Sequence, residues 1–340
     1  MTNRPCGASL LGIIGNTPLV RLRRLFANDR GIQVYAKLEL MNPGGSAKDR
    51  PAKRMIEQAL ASGMIGPGSV VVESSSGNMA ISLASICSSL GMRFICVIDP
   101  RTTSQNVKIM QAYGAEIVLV EEPDPLSGEF LQARLSKVQE LLAEIPGSYW
   151  PNQYGNANNY MAHAETTMRE IVEALGGRVD YVVGGVSTCG TMYGCAQYVK
   201  EHGLTTKIVA VDAVGSVIME GGLKGRRRLF PGLGAGLVPP FGQTRFMDYA
   251  VHVPDYDMVL GCRELVRLES ILAGPSTGAV VAALGKLWEQ IPDGSSCVLL
   301  AHDRGERYLD TVYSEVWVEE MFVGGGSEGG EGSEGSEGSE

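Results

Sequence analysis

Short runs of apolar residues alternate along the chain with longer stretches that carry helical periodicity. Seven of the short runs are predicted to be β-strands, at residues 33–38, 69–72, 93–98, 116–120, 181–184, 207–211 and 296–300. Eight longer stretches are predicted to be helices, at residues 47–62, 79–90, 105–113, 130–145, 158–175, 192–202, 260–272 and 277–290. Strands that are apolar through their centres are typical of parallel sheets covered on both faces. The alternation therefore predicts an α/β fold with mainly parallel sheets flanked by helices.

Two irregular segments break this alternation. Residues 121–128 are rich in Pro, Asp and Glu, and residues 146–155 are rich in Pro, Gly, Asn and aromatic residues. Such compositions favour turns and loops. We therefore expect the chain to pass between two lobes near residue 150.

Glycine is unusually frequent, at 44 of 340 residues, and part of the excess lies at the end of the chain. Residues 324–340 consist of 8 Gly, 5 Glu and 4 Ser, which bury no apolar surface, so we expect a disordered tail outside the folded body. The net charge is −9, and the five tail glutamates supply more than half of it. The mildly acidic body that remains has no electrostatic surface for nucleic acid or for an anionic membrane.

Cysteines and histidines give no sign of a disulfide framework or of a metal site. The seven cysteines are odd in number and contain no Cys-x-x-Cys pair. The four histidines are scattered, none at metal-ligand spacing, so we expect no bound metal. The apolar stretch at 10–14 is too short for a signal peptide, and no apolar run is long enough to span a bilayer. These observations favour a cytoplasmic protein.

Four turns rich in Gly, Ser or Asn adjoin predicted strands and helices, at residues 42–50, 74–78, 184–191 and 273–278. Turns of this kind are where α/β proteins place ligands. In the turn 184–191, small residues and hydroxyl groups allow several backbone N–H groups to point at one anion, which is the chemistry of a phosphate cup. It lacks the Gly-Lys-Ser/Thr end of a nucleotide-binding P-loop. For this segment alone, a tight turn without a ligand remains the alternative.

Lys48 stands at the start of a predicted helix, where a cation is mildly unfavourable because of the helix dipole. A lysine there is most often a solvated residue of the first turn. The functional alternative is an amine whose pKa is lowered by desolvation and nearby positive potential, so that the neutral nucleophile can form a Schiff base.

Taken together, the four turns carry a family resemblance. Residues 42–50 read Asn-Pro-Gly-Gly-Ser-Ala-Lys-Asp-Arg, and they are followed in order by Ser-Gly-Asn, the phosphate cup and Ala-Gly-Pro-Ser-Thr-Gly. This set resembles the pyridoxal-phosphate β-family of fold type II, which includes cysteine synthase and cystathionine β-synthase, over about residues 8–320. The resemblance implies pyridoxal 5′-phosphate as cofactor, a homodimer, and two lobes, each with a mainly parallel twisted sheet flanked by helices. The larger lobe would comprise 1–44 and 151–323, and the smaller, mobile lobe 45–150.

The resemblance also assigns residues to the cofactor. Lys48 would bond the cofactor aldehyde and act as acid and base at the substrate α carbon. Asn78 would hydrogen-bond the 3′-oxygen, and Ser276 would meet the ring nitrogen and leave it unprotonated, which suits elimination at the β carbon. The cofactor phosphate would be held by one loop: Ser187, Thr188, Cys189, Gly190 and Thr191. Cys189 is expected to offer its backbone N–H there, and not its thiol.

For the substrate, the resemblance implies that Ser75, Ser76 and the backbone near Met79 receive the α-carboxylate and that Gln153 closes over it. The sequence departs from cysteine synthase by having Met79 after Asn78 and Tyr154 after Gln153, and the cup contains Ser187. The added hydroxyls suit a more anionic or more polar substrate than O-acetylserine. Arg134 is either a clamp for a phosphate or carboxylate of the substrate or a solvated residue on a helix face.

The stretches 41–53, 137–143, 209–218 and 303–310 resemble one subfamily, the N-(2-amino-2-carboxyethyl)-L-glutamate synthases of siderophore pathways. This resemblance implies O-phospho-L-serine and L-glutamate as substrates of a β-replacement that yields a precursor of 2,3-diaminopropionate. Two alternatives remain open: a sulfhydrylase that uses a related serine ester, and a catalytically silent, cofactor-bound partner in a complex. Tyr193 and Asp303 are interpreted as packing and helix-cap residues.

Overall fold

The computed structural model describes residues 9–221, 228–242 and 245–323, and within these ranges nine strands form two sheets. The strands are β1 (Leu19–Leu22), β2 (Gln33–Lys37), β3 (Val70–Ser74), β4 (Arg93–Ile98), β5 (Glu116–Leu119), β6 (Tyr181–Gly185), β7 (Lys207–Ala213), β8 (Tyr249–Val253) and β9 (Ser296–Leu300). The larger sheet has the order β1-β2-β9-β6-β7-β8, and the smaller has the order β3-β4-β5. All neighbours run parallel except β1 and β2, which pair antiparallel.

Helices cover both sheets. They are α1 (Leu10–Ile13), α2 (Asp49–Ala61), α3 (Asn78–Ser89), α4 (Ser104–Ala112), α5 (Phe130–Glu144), α6 (Asn158–Ala162), α7 (Arg169–Ala174), α8 (Gly190–Glu201), α9 (Asp255–Glu269), α10 (Pro275–Leu287) and α11 (Glu315–Val318). A π-helical segment, His163–Met168, joins α6 to α7 without interruption. None of the helices in the described ranges is both long and apolar enough to cross a membrane.

The apolar strand runs predicted from the sequence are buried on both faces of the larger sheet. Val183, Val209 and Leu299 face a core shared with α9 and α10, whereas their neighbours Val182 and Ile208 face a core shared with α8. Successive residues of a strand point to opposite faces, so a strand covered on both sides needs apolar residues at every position. The smaller sheet is covered in the same way, by α2 and α3 on one face and α5 on the other.

The predicted α/β class is confirmed, and the predicted bounds of β4 and β9 are those observed. β1 and β8 were not predicted, because each is an edge strand of the larger sheet with only part of its side chains buried. The helix predicted at 260–272 begins earlier, at Asp255. The smaller sheet and α2–α5 fall within residues 45–150, but the division into lobes and the mobility of the smaller one stay predictions. The tail 324–340 lies outside the described residues.

A buried ionic cluster fixes the segment that carries Lys48. Arg50 donates from Nε to Glu39 Oε2 and from Nη1 to Glu170 Oε1, both at 2.6 Å. Lys37 Nζ donates to Glu170 Oε2, also at 2.6 Å. Arg50, Glu39 and Lys37 are at most 3% exposed. Removing one member of such a cluster leaves an uncompensated buried charge, so the cluster ties the start of α2 to β2 and α7.

Candidate active site

A cleft opens where the parallel strands β3, β6 and β9 end. Each strand runs at its carboxyl end into a loop at the cleft wall, which is the usual ligand position in α/β sheets. Most of the residues assigned by the family resemblance line it: Lys48, Ser75, Ser76, Asn78, Met79, Arg134, Gln153, Tyr154, Ser187, Thr188 and Ser276. Three of the assigned residues are not among the lining side chains: Cys189, Gly190 and Thr191.

Lys48 immediately precedes α2, which begins at Asp49, two residues later than predicted. Among the described residues, its Nζ has no hydrogen-bond or ion-pair partner. Burial lowers the pKa of the Lys48 amine, and the negative charge of Asp303 opposes this shift only in part. A lowered pKa makes the neutral, nucleophilic form of the amine more accessible.

The turn between β6 and α8 places the start of α8 at the cleft. Cys189 adopts the left-handed conformation, with φ of 65°, directly before Gly190, the first helical residue. This conformation favours glycine and is uncommon for other residues. The Cys189 thiol is buried among apolar side chains, and burial raises the pKa of this thiol to about 12. The N-cap residue Cys189 makes no side-chain cap, but the Gly190 N–H donates to Thr188 Oγ1 at 3.4 Å. The next N–H groups of the first turn make no side-chain hydrogen bond within the described residues, an arrangement that suits an anion.

Two residues of the helix behind the cup hold its hydroxyls. Asn159 Nδ2 donates to Thr188 Oγ1 at 3.3 Å, and His163 Nε2 lies 3.2 Å from Thr191 Oγ1. Burial, and next the charge of Lys48, lowers the pKa of His163 well below its ordinary value, so the ring is neutral. Thr191 thus supports the cup from behind and does not face the cleft.

Asn78 and Ser276 meet at the carboxylate of Asp303. Asn78 Nδ2 donates to Asp303 Oδ2 at 3.0 Å, and Ser276 Oγ donates to Asp303 Oδ1 at 3.3 Å. The hydroxyl of Tyr308 donates to Oδ2 at 2.8 Å, and Arg307 Nη1 donates to Asn78 Oδ1. Asp303 is 1% exposed, as a packing residue is, yet its carboxylate lines the cleft and organises two assigned cofactor residues. The interpretation of Asp303 as a helix cap is wrong.

The opposite wall is the turn from β3 into α3. Ser75 Oγ accepts from the backbone N–H of Ala80 at 3.3 Å, and Asn106 Nδ2 donates to the Ser76 carbonyl at 3.0 Å. Gln153 Nε2 donates to the Ser74 carbonyl at 3.3 Å. The serines and Gln153 are therefore assembled on one wall.

Buried Glu73 supports that wall. One oxygen accepts from Trp150 Nε1 at 3.0 Å, and the other accepts from the Gln153 N–H at 3.2 Å. Burial raises the pKa of Glu73 to about 7, and the hydrogen bonds from Trp150 and the backbone oppose the shift. The Glu73 carboxyl therefore holds Trp150 and Gln153 in place, and its protonation state affects both hydrogen bonds.

Arg134 lies on α5 and is 9% exposed, so the interpretation as a solvated helix residue is wrong. Its Nε lies 3.2 Å from Asp99 Oδ2, close enough for an ion pair. Within the described ranges, neither Nε nor Nη1 makes a hydrogen bond, although both atoms are buried. A buried guanidinium with unused donors at the wall of a cleft is suited to bind an anionic group.

Sequence reasoning missed several lining residues: Asn106, Leu233, His302 and Tyr308. His302 Nε2 accepts from the backbone N–H of Gly185 at 2.8 Å, and burial lowers its pKa to about 3. Position along the chain could have identified His302 as a lining residue, because His302 and Asp303 come just after the last predicted parallel strand. Tyr193 packs against the rings of Tyr160, Phe241 and Phe246, as expected of a packing residue. Within the described ranges, no three His, Cys, Asp or Glu side chains are grouped to hold a metal ion.

Comparison with known families decides the class of protein. A family model described as pyridoxal-phosphate dependent enzyme matches residues 10–303. The chain belongs to this family. Its cofactor is pyridoxal phosphate, as the motifs predicted.

Solved structures of related enzymes superpose over most of the chain. A hydrogen sulfide-producing enzyme from Fusobacterium nucleatum is 35% identical, with a TM-score of 0.82 over 90% of this chain and 99% of that one. O-ureido-L-serine synthase with O-ureido-L-serine bound is 32% identical, with a TM-score of 0.83 over 92% and 95%. An O-acetylserine-dependent cystathionine β-synthase from Helicobacter pylori is 28% identical, with a TM-score of 0.83 over 91% and 100%.

Proposed function

We propose that Lys48, Asn78, Ser276 and the loop 187–191 hold the pyridoxal phosphate. The set of donors fits the group: an amine of lowered pKa, with no hydrogen-bond partner among the described residues, shares one cleft with the turn that leads into α8 and with the side chains around Asp303. An amine of this kind suits an aldehyde, and the start of a helix suits a phosphate. Cys189, Gly190 and Thr191 contribute backbone N–H groups and support to the cup.

We propose that the enzyme catalyses a β-replacement that joins O-phospho-L-serine to L-glutamate. The products are N-(2-amino-2-carboxyethyl)-L-glutamate, a precursor of 2,3-diaminopropionate for siderophore biosynthesis, and phosphate. Relatives whose names refer to O-ureido-L-serine and O-acetylserine support a substrate built on a β-substituted serine. The choice of glutamate as nucleophile is supported by the subfamily resemblance of the four sequence stretches.

The chain's residues account for each step. When bound, pyridoxal phosphate supplies an electron-withdrawing ring that stabilises negative charge at the α carbon of an attached amino acid. The Lys48 amine removes the α proton, and the bond from the β carbon to the phosphate oxygen breaks. The glutamate amine forms the new bond at the β carbon, and Lys48 returns a proton to the α carbon. Ser75, Ser76 and the turn at Met79 hold the substrate carboxylate, while Gln153 closes over it.

One observation carries the choice of an anionic substrate: the buried guanidinium of Arg134, with two atoms lacking hydrogen bonds, lines the same cleft as Lys48. Buried donors of a cation that lack hydrogen bonds are costly, and Nε has only its ion pair with Asp99. Both proposed substrates are more anionic than O-acetylserine. Burial raises the pKa of the Tyr154 phenol, and the charge of nearby Arg134 opposes that shift. Tyr154 adds a hydroxyl on the same side of the cleft as Arg134, and Ser187 adds another at the cup.

A second candidate, a sulfhydrylase, is favoured by the 35% identity to a hydrogen sulfide-producing enzyme. Sulfide is small and carries no carboxylate, so this reaction leaves the Arg134 guanidinium without a role toward the nucleophile. The two candidates therefore differ in what Arg134 is expected to bind.

Phosphate release from O-phospho-L-serine by the purified holoenzyme tests the proposal. L-Glutamate, sulfide and L-alanine serve in turn as second substrates, and the product is identified by mass spectrometry. We expect release that depends on L-glutamate and a product with the mass of the C–N adduct. Lys48→Ala, checked for its fold by circular dichroism, is the inactive control. A preference for sulfide supports the sulfhydrylase, and the absence of turnover with any second substrate supports a silent partner protein. The proposed homodimer is tested on the same sample by light scattering.

A further inference from the structure

Arg307 joins two elements of the cleft although it does not line the cleft itself. Its Nη1 donates to Asn78 Oδ1 at the start of α3, and its Nη2 donates to the carbonyl of Gly44 at 2.6 Å. Gly44 belongs to the turn that leads into Lys48, whereas Arg307 lies in the segment that follows β9. Arg307 is only partly buried and is not among the lining residues. Its effect on a bound group must therefore pass through Asn78 or through the turn.

The backbone of the turn leaves room for this guanidinium. Gly45 has a φ of 82°, a conformation that favours glycine. A Cβ at Gly45 would lie 3.1 Å from Arg307 Nη2 and 3.0 Å from Arg304 Cδ. The N–H of Gly44 donates to Asp49 Oδ2 at 2.6 Å. Gly44 is thus held on both sides, by the first residue of α2 at its N–H and by Arg307 at its carbonyl.

Arg307 also fixes the amide of Asn78. Asn78 Nδ2 donates to Asp303 Oδ2 at 3.0 Å, so the two polar ends of the amide meet a cation and a carboxylate. Turning the amide over would set its NH₂ group against the Arg307 donor and its oxygen against the carboxylate. The second Nδ2 proton has no acceptor among the described residues. Donation from a cation to the amide oxygen draws electron density from Nδ2, which makes that remaining N–H a stronger donor.

Arginine suits this position because its donors lie in one rigid plane. The two Nη atoms serve different elements at the same time, Asn78 on α3 and Gly44 in the turn. The guanidinium therefore sets the spacing between the start of α3 and the turn that leads into Lys48. A lysine at this position would keep the charge but offers one ammonium group on a flexible stem, so it cannot reproduce the fork.

We propose that Arg307 is a positioning residue: it fixes the spacing between α3 and the turn that leads into Lys48, and it strengthens Asn78 as a donor toward the 3′-oxygen of pyridoxal phosphate. The inference rests on the proposed placement of Lys48 and Asn78 at the cofactor. A hydrogen bond to the charged form of a group favours that form, so a stronger donor favours the ionised 3′-oxygen. Weakening the donor shifts that oxygen toward its neutral form.

The test is the visible absorption spectrum of the holoenzyme at saturating pyridoxal phosphate, together with the cofactor affinity from equilibrium dialysis. An ionised phenol absorbs at longer wavelength than a neutral one. We expect Arg307→Met to move intensity from the long-wavelength to the short-wavelength band and to weaken affinity about tenfold, as for the loss of one hydrogen bond to a charged group. Arg307→Lys should cause smaller changes in the same direction. If Arg307→Met does not fold, Arg307→Lys decides the question, and a wild-type spectrum and affinity overturn the proposal.

Arg304→Met is the matched control. Arg304 supports the same turn, because it donates to the carbonyls of Leu40 at 3.0 Å and Asn42 at 3.4 Å, but it does not donate to Asn78. We expect Arg304→Met to keep the wild-type spectrum and affinity, and an equal shift in both variants would overturn the specific role of Arg307.

Asn78→Ala separates the two levels of the proposal. A spectral change with Asn78→Ala but none with Arg307→Met overturns the role of Arg307 and leaves the cofactor site standing. A wild-type spectrum and affinity in Asn78→Ala show that Asn78 does not meet the cofactor, which overturns the placement on which both proposals depend.

Discussion

Arg134→Lys is the perturbation that bears most directly on substrate choice. Arg134 lines the cleft, and its buried Nε and Nη1 make no hydrogen bond within the described residues, although Nε is paired with Asp99. Lysine keeps a positive charge near Asp99 but loses the planar fork of donors that grips a phosphate or a carboxylate by two bonds. The substitution thus removes recognition while it retains the buried charge balance.

The expected loss follows from the number of donors. A hydrogen bond to a charged group contributes about 1.5–3 kcal/mol, and lysine can replace at most one of the two. The remaining loss corresponds to a fall in kcat/KM of about 10- to 100-fold. Folding stability should change little, because the ion pair with Asp99 keeps its charges.

Steady-state kinetics with two donor substrates identify the anion that Arg134 binds. If the guanidinium binds the phosphate, the loss appears with O-phospho-L-serine and is absent with O-acetyl-L-serine, which has no phosphate. If it binds a carboxylate of glutamate, the KM for glutamate rises with either donor. Arg93→Gln is the control, because Arg93 is exposed and forms an ion pair with Glu116 at the surface of the smaller sheet, against which α5 packs.

A kcat/KM for Arg134→Lys within twofold of the wild type, for both donors and for glutamate, refutes the reasoning. Arg134 would then serve only its pair with Asp99, and the anionic substrate would lose its main structural support.

Three further substitutions test other parts of the structure. Burial raises the pKa of Glu73 from 4.5 to about 7, so the protonated carboxyl stabilises the folded state at low pH and this stability is lost as the pH rises. Measured by urea denaturation, the free energy of unfolding of the wild type relative to Glu73→Gln should fall by about 3 kcal/mol between about pH 4.5 and pH 8. A difference that stays constant with pH contradicts a buried neutral carboxyl. A Cβ at Gly190 would lie 2.2 Å from Asn159 Oδ1. Gly190→Ala should therefore weaken cofactor affinity at least about tenfold, as measured by equilibrium dialysis. Gly285 is a helical position with open space around it, so Gly285→Ala should leave the affinity unchanged. Arg50→Met leaves buried Glu39 without its ion-pair partner and leaves Glu170 with Lys37 alone. It should cost about 3–5 kcal/mol of unfolding free energy, and a loss below about 1 kcal/mol would show that the cluster is not stabilising.

Local sequence determined the elements whose burial is uniform. The residues of β9 (Ser296–Leu300) are covered on both faces, so an apolar run alone marks its bounds. The short edge strands β1 and β8 mix exposed and buried positions and carry no such signal. Lys48 and the cup could be proposed from the sequence because each lies within one contiguous turn, where the residue types indicate the chemistry.

Tertiary structure decided which residues that are distant in sequence form ion pairs and hydrogen bonds. Asn78 and Asp303 are 225 residues apart in sequence, and Arg50 and Glu170 are 120 apart, yet each pair is in direct contact. Nothing near Arg134 distinguishes a buried arginine from a solvated one, because its exposure depends on how α5 packs against the smaller sheet. A side chain's chemistry is written in the sequence, but its desolvation and its hydrogen-bond partners depend on the packing of remote segments, and these set the charge and donor pattern of the cleft.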